Sequence, residues 1–330
     1  QLIGTTVQRR HTQACKVLSQ ASEFSILHRK RSPSIHQKDS LLTAHPTNSF
    51  YIIATSIVYN KPNNYYRKER LPMKLARIKL DQQIYYASIN DNQTATLIDG
   101  DIFGPHIDLT NTTIPLADCQ LLAPVNPPHV YAIGLNYAAH VDEFKHIDPT
   151  RANPDAPIAF LCATTAITGP DTAVTLTQPD HTIDYEAELV AVIGRRCHRV
   201  SQENALDYVL GYTCGNDISD RTYQNADKQW LRAKSQPGYK PLGPWIETDI
   251  QDPQNLRIQS FLNGEPRQDG NTDCMIFNIA RLIAHLSEFT TLEPGDVIYS
   301  GTPAGVGHLQ PGDTITVTIQ NIGTLTNTIQ

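Results

Sequence analysis

The chain has 330 residues, 40% of them hydrophobic, and a formal net charge of −6, which is enough apolar material for a sizeable core and, on ordinary domain sizes, about two domains. The charge is uneven: residues 1–72 hold 11 Lys/Arg against 3 Asp/Glu, and residues 73–330 hold 16 against 30. So acidic a body argues against a nucleic-acid partner, which needs a basic face, and the longest apolar run of the leading segment, Phe50–Tyr59, is about half a bilayer span, which argues against membrane insertion. Six cysteines (Cys15, Cys119, Cys162, Cys197, Cys214 and Cys274) are scattered without a C-x-x-C pair. Neither a zinc site nor a disulfide framework is expected, and a reducing cytoplasm is the natural home.

In chain order, residues 1–72 are basic, Ser-rich and poor in acids, a composition shared by organelle transit peptides. The expectation favoured here is a disordered or non-native extension, because Met73 opens the strand-like "MKLARIKL". Residues 73–125 carry short strand-like pieces broken by Asn-Asp and Gly turns, which predicts a small N-terminal β-rich domain. "APVNPPHV" reads as a linker into the third region, residues 126–330. There a strand "VYAIG" is followed by one or two helical turns over "LNYAAHVDEF", and a strand is predicted over "DYEAELVAVIG". Ser201 is expected to cap a helix over "QENALDYVLGY", and Ser219 a second helix, "DRTYQNADKQWLRAK". Asn263-Gly264 is the best hairpin turn in the chain, "IFNIARLIAHLSEF" has helical apolar spacing, and the C-terminal stretch alternates again. Strands predominate without a regular β-α repeat, so the fold class expected is α+β rather than a doubly wound sheet.

The predicted strand "DYEAELVAVIG" poses a physical problem. Side chains two apart on a strand share a face, so Glu186 and Glu188 point the same way, in line with Val190 and Val192. Buried like charges disfavour each other's ionisation, and a bound divalent cation reverses that penalty. A solvated strand face is the plainer explanation for a bare E-x-E. Downstream, "GYTCGNDISD" places Asp217 between a strand-like run and a helix, where it is a turn residue, a cap, or a third oxygen ligand.

The ordered segments "YAIGLNYAAHVDEF", "DYEAELVAVIG", "GYTCGNDISDRTYQ", "LRAKSQPGYKPLGPWI", "FLNGEPRQDGNT" and "LEPGDVIYSGTPAGVG" resemble the fumarylacetoacetate hydrolase family over roughly residues 126–330. The resemblance implies a β-roll-like catalytic domain and a homodimer. It makes Glu186, Glu188 and Asp217 the ligands of Mg²⁺, with Mn²⁺ or Ca²⁺ as alternatives. It makes His140 a base and Glu143 its partner, three residues apart in a lid segment. Arg221 and Gln224 are placed in the pocket to hold polar groups of the substrate, and Lys234 to stabilise negative charge. Gly301 and Thr302, through a backbone N–H and a hydroxyl, are expected to bind a substrate carboxylate. The chain departs from the pattern at Cys162, where many members have lysine, and at Asp220, where a small residue is usual.

The function implied is metal-assisted hydrolysis of a carbon-carbon bond in a small diketo acid, an acylpyruvate or fumarylacetoacetate-like substrate, through an enolate that the metal and Lys234 stabilise. Isomerisation of a hydroxymuconate-like diacid and decarboxylation of a β-keto acid are alternatives on the same site. A metal-binding protein without catalysis is the third reading.

Overall fold

The computed structural model describes residues 72–143, 145, 150 and 152–330. The expected N-terminal extension, apart from Pro72, lies outside the described residues. The architecture is α+β and strand-rich, as the sequence predicts, and no helix among the described residues is long and apolar enough to cross a membrane.

The largest sheet runs, in spatial order, through Asp108–Pro115, Thr94–Asp99, Gln83–Asn90, Lys74–Leu80, Lys240–Glu247, Val209–Asn216, Ala187–Ile193, Val297–Tyr299, Val130–Gly134 and Ile158–Cys162. The N-terminal strands are therefore continuous with the later ones, joined where Lys74 and Leu75 pair with Glu247 and Ile246. All neighbours along this path are antiparallel except Val297–Tyr299 with Val130–Gly134. A smaller four-stranded sheet holds the hairpin Arg257–Leu262 and Glu265–Asn271, turned at Asn263 (φ 54°) and Gly264 (φ 83°), beside Thr314–Ile319 and Gly323–Thr328. This is the turn the Asn-Gly pair predicts.

Alternation along Ala187–Ile193 sorts its side chains between two cores. Ala187, Leu189, Ala191 and Ile193 pack on one side with Leu282, Ile283 and Leu286 of the helix Ile279–Phe289 and with Val317 and Leu325 of the four-stranded sheet. Val190 and Val192 pack on the other with Leu75, Leu242, Ile246 and Tyr299. The helix buries Ile279, Leu282, Ile283 and Leu286, the i, i+3, i+4, i+7 stripe, and Asn278 caps it by accepting from Arg281 N at 2.8 Å. With both faces covered, the strand is buried at every position.

Four local expectations are corrected. The strand predicted over "DYEAELVAVIG" is interrupted at Glu186, between Ile183–Tyr185 and Ala187–Ile193. Ser201 makes no side-chain cap, and the segment behind it is a 3₁₀ helix, Gln202–Tyr208, running into the strand Val209–Asn216. The β-branched and aromatic residues that follow favour the strand. Ser219 is not a cap either: its Oγ donates to Asp217 O, and Asp220 caps instead by accepting from Tyr223 N. The helix it was to start is divided into Arg221–Ala226 and Leu231–Lys234.

Leu189 has no exposed surface, so Leu189→Ala combines lost transfer energy with a cavity. The expected loss is about 2–5 kcal/mol in chemical denaturation, with the slope of the transition unchanged.

Candidate metal centre and its pocket

The break at Glu186 is where the site begins. Glu186 N donates to Asn216 Oδ1 at 2.9 Å, and Asp217 N donates to Glu186 O at 2.9 Å. Together with the pairing of Ala187 with Asn216 and Glu188 with Gly215, these bonds fasten the interruption of one strand to the end of its neighbour. Asn216 was not singled out from the sequence, and the Asn-Asp pair at a strand end was the signal available. Glu186, Glu188 and Asp217 are all buried, and each offers a carboxylate oxygen such that these atoms lie within 4.8 Å of one another.

Cations are supplied by the segment that follows. Arg221 donates through Nε to Asp184 Oδ2 at 2.7 Å, through Nη2 to Glu186 Oε1 at 2.5 Å, and through Nη1 to Gln224 Oε1 at 2.7 Å. Lys234 Nζ bridges Glu186 Oε2 at 2.7 Å and Asp217 Oδ2 at 3.0 Å. Lys240, which the sequence reading passed over, brings its Nζ against Asp217 Oδ1 and has no exposed surface. That contact pairs the second oxygen of Asp217, whose first is held by Lys234.

The electrostatics divide the two glutamates. Burial works against the charge of Glu186, but Lys234, Arg221 and His140 outweigh it and hold the carboxyl well below the usual range. Burial, then the charges of Asp217 and Glu186, push Glu188 well above it. Glu188 accepts from Gly301 N at 2.8 Å, and among the described residues it has no ion-pair partner. Lys234 is raised further above its ordinary value, because Asp217 and Glu186 overcome the effect of burial.

These features fit a divalent cation. Counting Asp184, Glu186, Glu188 and Asp217 against Arg221, Lys234 and Lys240, the cluster holds one more buried carboxyl group than cations. It also holds a glutamate that its neighbours repel. The donors are all carboxylate oxygens, the ligand type of hard cations.

A cavity of about 580 Å³ opens onto this cluster, lined by Glu186, Glu188, Lys234 and His140 among others. His140 lies on the short helix Ala138–Glu143 and is buried, with Nδ1 at 3.0 Å from Glu143 Oε2. A carboxylate only accepts, so in the neutral ring Nδ1 carries the proton and Nε2 the lone pair. Glu143 Oε1 accepts from Gly305 N at 2.6 Å, which ties the helix to the loop that holds Glu188 through Gly301. Both glycines have positive φ, 94° at Gly301 and 101° at Gly305, conformations that other residues adopt only with strain. A Cβ on Gly301 would lie 2.7 Å from Asn136 Cβ.

Gly301 and Thr302 line the cavity, but their donors are not placed as expected. The Gly301 N–H goes to Glu188. The Thr302 hydroxyl donates to Ala187 O at 2.8 Å and accepts from Gln268 Nε2 at 2.7 Å. Both groups are thus engaged within the protein, and both residues line the cavity. Asp220 is buried away from the cavity, paired with His181 at 2.8 Å. Its charge has a structural partner there, and it does not oppose an anion in the pocket. Gln224 lines the cavity, and because its Oε1 accepts from Arg221 its amide N–H₂ remains the donor end.

Residues 129–330 match the family described as fumarylacetoacetate (FAA) hydrolase C-terminal, and residues 73–124 match Rv2993c-like, N-terminal. Protein Rv2993c of Mycobacterium tuberculosis is 40% identical over 265 residues, spanning 78% of this chain and 98% of that protein. Among solved structures, 5-carboxymethyl-2-hydroxymuconate delta-isomerase from Mycobacterium smegmatis is 41% identical, with TM-score 0.71 and coverage of 78% of this chain and 99% of that one. Fumarylacetoacetate hydrolase from Exiguobacterium antarcticum is 32% identical, with TM-score 0.69 over 78% of this chain and 99% of that one. The isomerase and the hydrolase are thus alike in fold, and this chain, matched over most of its length, belongs to the same fumarylacetoacetate hydrolase family of enzymes.

Proposed function

We propose that the protein is a divalent-metal-dependent hydrolase that cleaves a carbon-carbon bond in a small diketo acid, such as an acylpyruvate. The observation that carries this reading is that His140, held by Glu143, lines the same cavity as Glu186 and Glu188, two of the three converging carboxylates. Glu186, Glu188 and Asp217 would hold the ion, Mg²⁺ in the first instance, which when bound supplies Lewis-acid polarisation of substrate oxygens. Glu143 holds the Nδ1 proton of His140, and Nε2 takes a proton from water as that water attacks the carbonyl remote from the acid group. The bond between that carbonyl and the adjacent carbon breaks, and its electron pair leaves as an enolate. Two protons of Lys234 are held by Glu186 and Asp217, and the third is assigned to the oxygen on which charge develops. Arg221, with its donors on Asp184, Glu186 and Gln224, acts as a positioning residue, and the Gln224 amide serves as a donor to the substrate.

A second reading, double-bond isomerisation of a hydroxymuconate-like diacid, is favoured by the named activity of the Mycobacterium smegmatis relative. It needs proton transfer but no attacking water, so the two reactions depend differently on His140.

With an acylpyruvate and Mg²⁺, His140→Ala is expected to lower kcat by about 10²–10⁴ while leaving KM within a few-fold. Glu186→Gln is expected to raise the Mg²⁺ concentration needed for half-maximal rate. Unchanged cleavage in His140→Ala would remove His140 as the base, and isomerase turnover without cleavage in the wild type would replace hydrolysis by the second reading.

Glu188 gives a pH signature. Its carboxyl is raised in the fold, so its contribution to stability is fully present below the ordinary value of 4.5 and is lost as pH rises through the folded value. In chelator at neutral pH, Glu188→Gln is expected to melt higher than wild type, with the gap narrowing toward pH 4.5. Saturating Mg²⁺ is expected to reverse the order, because only the wild type gains a ligand. Parallel pH profiles for the two proteins in chelator would show that the repulsion is absent.

A further inference from the structure

We propose that Trp230, with Ile133 and Leu135, forms the wall that receives the hydrocarbon part of the substrate, and that the acids this site takes therefore carry an alkyl or aryl acyl group in place of a second carboxylate. The inference rests on the diketo-acid reading given above and narrows its substrate class.

Ile133, Gly134, Leu135 and Trp230 line the same cavity as Glu186, Glu188 and Lys234. The first three are consecutive at the end of the strand Val130–Gly134, and the indole is seated against that end. The six-membered ring of Trp230 occupies the place a side chain at 134 would take: a Cβ there would lie 2.8 Å from Trp230 Cη2 and closer still to Cζ3. Glycine leaves that room. Phe160, on the neighbouring strand Ile158–Cys162, meets the indole edge-on with ring centroids 5.1 Å apart. Leu135 has a φ of 57°, a conformation that a bulky side chain adopts only with strain, and such strain gathers at binding sites.

One helical turn sets this wall beside the charges. Lys234 N donates to Trp230 O at 3.0 Å, so the two side chains, four residues apart, leave the same face. Lys234 Nζ lies 5.8 Å from the centroid of the Phe160 ring that meets the indole. The ammonium that bridges Glu186 and Asp217 is therefore a neighbour of the indole. An acid held at its charged end by the ion site and Lys234 lays the rest of its chain beside Trp230. Ile133, Gly134 and Leu135 offer no polar side-chain atom and the indole a single N–H. Apolar carbons gain by burial there, while a second carboxylate would lose water without meeting a cation.

The test is the affinity of the full chain, by titration calorimetry with Mg²⁺ present, for straight-chain 2-oxo acids from 2-oxobutanoate to 2-oxooctanoate, which lack the second carbonyl and are not cleaved. The diacid 2-oxoadipate is compared with 2-oxohexanoate, the monoacid of equal length. Affinity is expected to rise about fourfold for each methylene, and the diacid to bind about tenfold more weakly than its monoacid. Trp230→Ala is expected to flatten the rise to below about twofold per methylene. Where that variant is insoluble, Leu135→Gly decides in its place, because glycine suits the backbone at 135 while removing the side chain; it is expected to cut the rise to about twofold per methylene. A diacid bound more tightly than its monoacid, or a rise that the deciding variant leaves unchanged, overturns the proposal. Turnover of acylpyruvates judges the hydrolase reading separately. A rising series without cleavage refutes hydrolysis and keeps the wall, whereas cleavage with a flat series keeps hydrolysis and refutes the wall.

Discussion

Four carboxylates, Asp184, Glu186, Glu188 and Asp217, are withdrawn from water in one small volume, and much of the surrounding chain is arranged to make that tolerable. An unpaired buried carboxylate costs several kcal/mol even after relaxation. The answer in this fold is local in sequence: the segment from Asp217 to Lys240 delivers Arg221, Lys234 and Lys240 onto the acidic strand ends within one excursion. This explains why a helix predicted to be continuous is divided. Arg221 reaches Glu186 from one short helix and Lys234 reaches it from the next, each taking a different carboxylate oxygen. A single straight helix would carry residues 221 and 234 about 20 Å apart along its axis, too far to converge on one carboxylate.

The loop around Gly301 and Gly305 performs a second task, which is to set distances. Gly301 N holds Glu188, and Gly305 N holds Glu143, the partner of His140. Two groups separated in sequence, a candidate ion ligand and a candidate base, are thereby referred to one short stretch of backbone. That stretch is itself braced: Gln268 donates to Thr302 Oγ1 and Pro303 O and accepts from Ala187 N, while Asn136 donates to Ser300 O. Placement to a fraction of an ångström is what bifunctional acid-base and electrostatic chemistry requires, and it comes here from hydrogen bonds to backbone rather than from side-chain packing alone.

Much of this was legible in the sequence because it obeys short-range periodicity. The i, i+2 spacing brought Glu186 and Glu188 together, the i, i+3 spacing brought His140 to Glu143, and Asn263-Gly264 fixed its hairpin. What escaped was the spending of hydrogen-bond donors. Spacing says that Gly301 and Thr302 can face a pocket, but their partners, Glu188 and Ala187, lie 113 and 115 residues away. Lys240 escaped for the same reason, since a lysine beside proline in a loop-like run reads as solvated until the fold closes over it. Asp220, which in the sequence is only a departure from the family pattern, is in the fold a helix cap with His181 as its partner.

With the Gly301 N–H and the Thr302 hydroxyl engaged by Glu188 and Ala187, the other polar side chains that the cavity presents include Gln224, Asn225, Thr182, Thr222 and His308. Of these, His308 is held by Asp184 at 2.5 Å. The Arg221 guanidinium and the Lys234 and Lys240 ammonium groups are tied to carboxylates. A cluster with more carboxyl groups than cations repels an anion by itself, so on the function proposed above a divalent ion held there would be what turns the cavity toward an acidic substrate.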